Sequence, residues 1–486
     1  MTMLSPSRLL IATLLAVAAL AWPTGPLAAT PAAALPHVGH VFVLVLENEN
    51  EATSFGPGSP APYLAHDLPA MGQMLPNYYG IGHASLDNYI ALISGQGPNP
   101  ITQSDCQFYT DVLPGTIGAD GQAAGSGCVY PSTVKTVADQ LTARGLTWKG
   151  YMGDMANSPT ESRTCRHPAL NSQDKTQTAR PGDQYATRHN PFVYFHSIID
   201  SPDCFAKDVP LDRLSDDLRS ASTTPSYSFI TPNLCDDGHD APCVDGRPGG
   251  LTTAGQFASG LVPQIVASPA FRQDGLLIVT FDESASGAEA CCGERAANTA
   301  NPGATSRGPG GGRVGAVVVS PFVSPGTVNL TPYNHYGLLR TVEDSFGLSH
   351  LGYAGVDGLA PFGADVFNAP GGATPSARGP SSSGTTGLVA CRARALSRRA
   401  HGNLRRGTLI ARAAQRRRGH RSQLTLTFTH AARLHVSVRV HGHLRRLRVR
   451  HVRACRAYRL RVPAGSRVMV SVSVRGARER RLLHIH

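Results

Sequence analysis

Between residues 36 and 367, short and nearly continuous apolar runs alternate with stretches of helical periodicity. The runs at 40–46, 147–152, 226–231, 275–281 and 314–319 are six or seven residues long and rich in β-branched side chains. They read as strands. Because apolar residues occupy both faces of several, these strands fit a parallel sheet covered on both sides. Helical periodicity marks 132–143, 254–267 and 336–346. The expected fold class is α/β: a mostly parallel sheet flanked by helices. In such sheets, ligands gather beyond the C-terminal ends of the strands.

The pattern changes at both ends of this body. Arg8 precedes an apolar run over 9–21, followed by Pro23, Gly25 and an alanine-rich exit near Ala29 or Ala34. That is the layout of a secretory signal peptide over 1–34. A membrane anchor needs about 20 apolar residues, more than this run supplies. Residues 369–388 are rich in Pro, Gly, Ser and Thr and read as a flexible linker. Beyond them, alternation at 424–429, 434–440, 458–462 and 468–474 predicts strands of a small all-β domain over 389–486. The main domain then spans 36–368, in a protein expected to be secreted, extracellular or attached to the cell envelope.

Charge sharpens this division. The formal net charge is +12, yet residues 389–486 hold 26 Arg, no Lys and one acid, Glu479, and therefore carry +25. The rest of the chain carries −13. A tail this basic attracts polyanions. It lacks the interleaved aromatics of a nucleic-acid reader, so an anionic membrane or cell-wall polymer is the favoured partner over nucleic acid. A purely solubilising tail is the alternative.

All ten cysteines follow the signal segment, and an even count in an exported protein points to disulfides. Neighbours in order suggest Cys106–Cys128, Cys165–Cys204 and Cys235–Cys243, with Cys391–Cys455 in the tail, each worth roughly 2–4 kcal/mol. The adjacent Cys291 and Cys292 form a vicinal bridge, stay free or pair elsewhere.

Candidate chemistry sits at the ends of the predicted strands. The first ends in Glu47-Asn48 and the fourth in Asp282-Glu283. One acidic pair is commonly a loop start. Two such pairs at one edge of a sheet crowd carboxylates that repel unless a cation lies between them, and oxygen donors favour a hard divalent ion. Ser85, in His83-Ala84-Ser85-Leu86-Asp87-Asn88, opens a helical stretch. It is either a plain cap or a nucleophile placed where the helix N-terminus favours an anion. Two further clusters are Asn233 to His239, which includes Asp237, and Asn334-His335. Histidines there are suited to proton transfer or phosphoryl binding. The glycine run at 308–312 is no P-loop, because no Lys follows it at the required spacing. It leaves Arg313 either structural or near a phosphate.

The phrases LVLENEN, SLDNYIALISGQ, TPNLCDDGHD, IVTFDE, GPGGGRVGAVVVSPFVSPG and YNHYGLLRTVEDSFG, in this order over residues 38–367, resemble the bacterial phosphoesterase family. That family contains phospholipases C and secreted acid phosphatases and has an alkaline-phosphatase-like core. This chain is more similar to the acid phosphatase and phosphatidylinositol-3-phosphatase branch. The resemblance implies a divalent metal (Mg, Ca, Mn or Zn) on Glu47, Asn48, Ser85, Asp282 and Glu283. It also implies Ser85 as nucleophile, acting through a phosphoserine. His239 and His335 would serve acid–base roles, and Asp237, Asn233, His83 and Arg313 would bind substrate. Glu49-Asn50-Glu51 departs from the His-Ser or Lys-Thr type sequence of many relatives, which bears on the entrance and on substrate choice. A phosphomonoester or phosphoinositide is the expected substrate. The rivals are a phospholipase C-type diesterase and a non-catalytic, polyanion-binding envelope protein.

Overall fold

The computed structural model describes residues 35–293 and 308–369, together with seven strands between 410 and 484. The expected signal segment, the linker beyond Ala369, and Cys391 and Cys455 lie outside the described residues. The chain forms two compact units, 1–375 and 376–486.

The first unit is built on an eight-stranded sheet. Its strands are β1 (His40–Leu46), β2 (Gln73–Leu75), β3 (Trp148–Met152), β4 (Asp208–Pro210), β5 (Tyr227–Thr231), β6 (Gly275–Phe281), β7 (Ala316–Val319) and β8 (Thr327–Val328). Their spatial order is β8-β2-β7-β6-β1-β5-β3-β4. The run from β6 through β1, β5 and β3 to β4 is parallel, and β7 then pairs antiparallel to β6. From Val41 to Leu46 every residue of β1 is buried, as is all of β6. This is why both read as unbroken apolar runs rather than as alternation.

Around the sheet pack α1 (Ser85–Ser94), α2 (Val137–Ala143), α3 (Gly250–Ala267) and α4 (His335–Phe346). All ten residues of α1 are buried, so it lies inside the unit rather than on its surface. The helix expected at 254–267 begins four residues earlier, at Gly250, and two other boundaries differ from expectation for local reasons. Thr136 and Asp139 close a capping box, so α2 begins at Val137 and not near 132. The N–H groups of Val314 and Gly315 both turn to the Tyr78 carbonyl, which delays β7 to Ala316. The edge strands β4 and β8, and β2 beside β8, hold only two or three residues each, too few to show a period.

Cys106–Cys128, Cys165–Cys204 and Cys235–Cys243 are bridged as the order of the cysteines suggested, and Cys291 is joined to Cys292. Among the described residues, no helix is long and apolar enough to cross a membrane.

The second unit is all-β. Its strands are β9 (Ile410–Arg418), β10 (Arg421–Phe428), β11 (Ala432–Val440), β12 (His443–Val452), β13 (Tyr458–Pro463), β14 (Arg467–Val474) and β15 (Ala477–His484). They form two antiparallel sheets, β9-β10-β13 and β12-β11-β14-β15. The four expected strands are present. The three unexpected ones, β9, β12 and β15, carry clustered arginines in place of clean alternation, so only pairing with a neighbour reveals them.

One buried acid in the first unit makes stability depend on pH. Asp208 opens β4 and accepts a hydrogen bond from Asn190 Nδ2 at 2.8 Å, while its Oδ1 has no partner. Burial pushes its pKa up to about 8. Between the unfolded value of roughly 4 and about 8, the folded chain keeps a proton that the unfolded chain has lost. Stability therefore falls as pH rises through this window, by up to about 1.4 kcal/mol per pH unit for this group. Asp208→Asn should shallow that decline, as read from urea midpoints between pH 5 and pH 8. An unchanged slope would contradict the assignment.

Candidate active site

The chain leaves β1 at Glu47, whose N–H reaches the Asp237 carbonyl at 2.8 Å, and β6 at Asp282, whose N–H reaches the Leu46 carbonyl at 2.9 Å. These bonds draw three loops together at one end of the sheet. Asn48 sits at φ 56°, a left-handed conformation that Asn tolerates. Its backbone N–H donates to Asp282 Oδ1 at 2.8 Å, an oxygen that also accepts Glu283 N–H at 2.6 Å.

Ser85 is the first residue of α1, but it does not cap the helix. Ala84 occupies the capping position without a side-chain bond, and Asp105 Oδ1 accepts Leu86 N–H at 3.0 Å from across the chain. The Ser85 hydroxyl instead donates to Glu47 Oε2 at 2.7 Å. One helical turn on, the Tyr89 hydroxyl holds Glu47 Oε1 at 2.6 Å. Asn88 fixes the approach to Ser85. Its Oδ1 accepts the N–H groups of Ile81 and Gly82, and its Nδ2 donates to Glu283 Oε2 at 3.1 Å.

The glycine run at 308–312 does more than turn the chain. Gly311 N–H bonds the Gly80 carbonyl, and the Gly311 carbonyl accepts from Ser284 N–H. A Cβ on Gly311 would meet the backbone of Gly80 at 2.6 Å, so only glycine allows this clasp between the Ser85 approach and the Asp282-Glu283 corner.

A cavity of about 600 Å³ opens on these groups, lined by Asn48, His83, Ser85, Asp105, Arg188, His239 and Glu283, with Gln107, Gln177 and Thr178 at its wall. Glu47, Asp237 and Asp282 are completely buried beneath it. Burial holds the acids Glu47, Asp237 and Glu283 well above the usual carboxylate range and raises Asp282 to about 7. Asp237 Oδ2 and Asp282 Oδ2 have no hydrogen-bond partner. Buried carboxylate oxygens without partners are costly unless a cation meets them, and an all-oxygen donor set fits a hard divalent ion. Cys235, Cys243 and Asp245 also converge, within 4.8 Å of one another. There the two sulfurs are bonded to each other, so neither is a thiolate ligand.

The structure thus brings Glu47, Asn48, Ser85, Asp237, Asp282 and Glu283 to one place, with His83 and His239 lining the cavity. Asp237 Oδ1 accepts His239 N–H at 2.9 Å. The hydrogen bond from His239 Nδ1 to Asp240, 3.1 Å long, raises the imidazole pKa, against the pull of burial.

Three expected site residues lie elsewhere. His335 is buried with its Nε2 2.6 Å from the Asp282 carbonyl and its Nδ1 3.0 Å from the Tyr78 hydroxyl. Burial lowers its pKa to about 4. With both nitrogens engaged, it positions the Asp282 corner and does not line the cavity. Asn233 Oδ1 is spent on the N–H groups of Cys235 and Asp236, as a turn former. Arg313 is exposed and faces Glu51 at 3.4 Å, which favours its structural reading.

One cavity residue, Arg188, and its buried neighbour, His189, carried no sequence signal. Arg188 and His189 fall in a short 3-10 turn without apolar periodicity. His189 is buried, stacked on Tyr89 with ring centroids 5.3 Å apart, and faces Glu47 Oε2 at 3.3 Å and Asp237 Oδ2 at 3.6 Å without a hydrogen bond to either. Burial pushes its pKa well down. Arg188 is only 7% exposed. Its Nη1 donates to the Gln177 carbonyl at 3.2 Å.

Residues 59–349 match the model of the Phosphoesterase family. The chain belongs to that family. Among relatives, it is 27% identical over 305 residues to a phosphate-repressible acid phosphatase of Penicillium chrysogenum, covering 62% of this chain. It is 26% identical over 323 residues to a phosphatidylinositol-3-phosphatase of Mycobacterium tuberculosis, covering 66% of this chain and 82% of that protein. The chain spans 58% of the length of the Penicillium protein. Among solved structures, a protein in the alkaline phosphatase superfamily from Vibrio parahaemolyticus aligns with TM-score 0.39 and 11% identity, over 94% of this chain and 84% of that one. The stretch matched by the Phosphoesterase family model contains Ser85, Asp237, His239, Asp282, Glu283 and His335, whereas Glu47 and Asn48 precede residue 59.

Proposed function

We propose that the chain is an exported phosphomonoesterase that forms a phosphoserine on Ser85 and requires a divalent metal. The observation that carries this reading is the Ser85 hydroxyl. It leaves its helix uncapped, donates to Glu47 Oε2 at 2.7 Å and lines the cavity beside Asn48 and Glu283. Glu47, Asn48, Ser85, Asp282 and Glu283 would hold the metal. When bound, that ion would stabilise the ionised form of Ser85 and the charge on the phosphoryl oxygens.

The steps of the chain itself follow from placement. The Ser85 proton leaves towards Glu47 Oε2 as the Oγ–phosphorus bond forms and the bond to the leaving alcohol breaks. His239, whose hydrogen bond to Asp240 favours its charged form, donates a proton to the leaving oxygen. Now neutral, it takes a proton from the water that attacks the phosphoserine. Ser85 recovers its proton, and inorganic phosphate is released. His335 acts through Asp282 as a positioning residue.

Arg188 is the arginine at the cavity wall and binds the phosphoryl oxygens in this reading. Burial works against its charge, and Asp105, Glu47, Asp237 and Asp174 more than offset that. Arg188→Gln should raise KM for a phosphate monoester by about 10- to 100-fold, with Arg188→Lys falling between. An unchanged KM in both variants would remove Arg188 from substrate binding.

Monoester and diester readings separate in parallel assays of the purified protein on a chromogenic phosphate monoester and on phosphatidylcholine. Turnover of the monoester alone supports the proposal. Release of phosphocholine at a comparable rate overturns it in favour of the phospholipase C-type reading. The similarity to a phosphatidylinositol-3-phosphatase makes phosphoinositides the first lipid monoesters to try.

A further inference from the structure

Two segments far apart in the sequence are fastened together along the wall of the cavity. Asp174 N–H donates to the Gln107 carbonyl at 3.0 Å, and Gln107 Nε2 donates to Gln177 Oε1 at 2.9 Å. Gln177 Nε2 in turn reaches the Asp105 carbonyl at 2.8 Å. Asp105 is also the residue whose carboxylate holds Leu86 N–H at the start of α1. Through these bonds the segment 174–177 is set against the helix that presents Ser85.

Asp174 opens that segment. It is only 3% exposed and lies behind the residues that line the cavity. Its two oxygens serve two routes, and both end on Arg188. Oδ1 accepts the N–H and the hydroxyl of Thr176, each at 2.8 Å. Thr176 Oγ1 accepts Thr187 N–H at 2.8 Å and lies 2.9 Å from the Thr187 hydroxyl, which fixes the backbone immediately before Arg188. Oδ2 accepts from Gln177 Nε2 at 2.8 Å, and the Gln177 carbonyl accepts from Arg188 Nη1 at 3.2 Å. One buried carboxylate therefore holds both ends of the arginine: its main chain through two threonines, its guanidinium through a glutamine. An arginine stem has much rotamer freedom to lose when it binds an anion. Fixing it before the anion arrives removes that cost from binding.

We propose, resting on the reading of Arg188 as the arginine that binds the phosphoryl group, that Asp174 is the positioning residue that holds its guanidinium ready beside Ser85. Asp174→Asn keeps the shape of the side chain but turns one acceptor into a donor, so either Gln177 or Thr176 loses its partner. With a chromogenic phosphate monoester and the full-length protein, KM should rise about 3- to 30-fold while kcat stays within about threefold. The Ki of inorganic phosphate, which reads binding without turnover, should rise in step. In an Arg188→Gln background the same substitution should alter KM by less than about twofold, because the side chain it positions is gone. Thr176→Val cuts only the Oδ1 route. It should raise KM in the same direction but by less, and it carries the test if Asp174→Asn does not fold. A residue that served folding alone would lower Tm and the yield of active enzyme and leave KM and Ki unchanged, and that result would overturn the assignment. An equal rise in KM in the parent and Arg188→Gln backgrounds would overturn it too. The two possible failures separate cleanly. If Arg188→Gln itself leaves KM unchanged, Arg188 does not bind the phosphoryl group and Asp174 loses its role with it. If Arg188→Gln raises KM but neither Asp174→Asn nor Thr176→Val does, only the role of Asp174 falls.

Discussion

Ser85→Ala is expected to lower kcat on a phosphate monoester by roughly 10⁴- to 10⁶-fold, the scale at which removing a nucleophile usually registers. The fold should hardly notice. Ala84 occupies the capping position of α1 and Asp105 serves Leu86 N–H, so the helix start does not depend on the hydroxyl. The bond lost is the one to Glu47 Oε2, whose oxygen still accepts from Asn48 Nδ2 at 3.2 Å. That loss costs about 0.5–1.5 kcal/mol, a shift of a few degrees in Tm at most. The two measurements belong together: steady-state turnover, and covalent labelling of acid-quenched enzyme by a substrate carrying radioactive phosphate. Label should appear in the parent protein and be absent from the variant. A variant that keeps turnover within tenfold would remove Ser85 from the chemistry.

The second large effect is expected at Asp282. Its Oδ1 accepts two backbone N–H groups, from Asn48 and Glu283, while Oδ2 is buried without a partner. Asp282→Asn keeps the first oxygen and replaces the second with an uncharged amide. The corner should therefore fold as before but bind a divalent cation far more weakly. For the parent protein, an ion present at about 100 times its Kd adds roughly 2.7 kcal/mol, or about 4 °C in Tm for a unit of this size. Asp282→Asn should lose most of that rise and about 100-fold or more in activity. The thermal shift is independent of turnover. A parent protein whose Tm ignores Mg²⁺, Ca²⁺, Mn²⁺ and Zn²⁺ after chelation would rule out the metal reading, whatever the activity shows.

The sheet and the acidic corner at its end were legible in the sequence because each rests on neighbouring residues. The runs 40–46 and 275–281 became strands over those same residues. A strand buried on both faces needs consecutive apolar side chains, and Glu47-Asn48 and Asp282-Glu283 interrupt these runs abruptly. The same locality revealed three of the disulfides from cysteine order. In the tail it revealed the strands that alternate and missed β9, β12 and β15, where arginines displace the apolar positions.

What the tertiary structure alone decided was which side chains face the cavity. Sequence placed Ser85 at a helix start and left it divided between cap and nucleophile. The separation came from Ala84 taking the cap and Glu47 meeting the hydroxyl, a contact across 38 residues. His335 stood in as suggestive a motif as His239, yet packing spends both its nitrogens on Tyr78 and Asp282. Arg188 and His189 entered from a short turn between elements: the fold alone set Arg188 at the cavity wall and His189 beside Glu47 and Asp237. Apolar periodicity records burial, which a chain encodes residue by residue. Convergence of polar groups from distant loops leaves no such period, because it depends on how strand ends and loops meet in space.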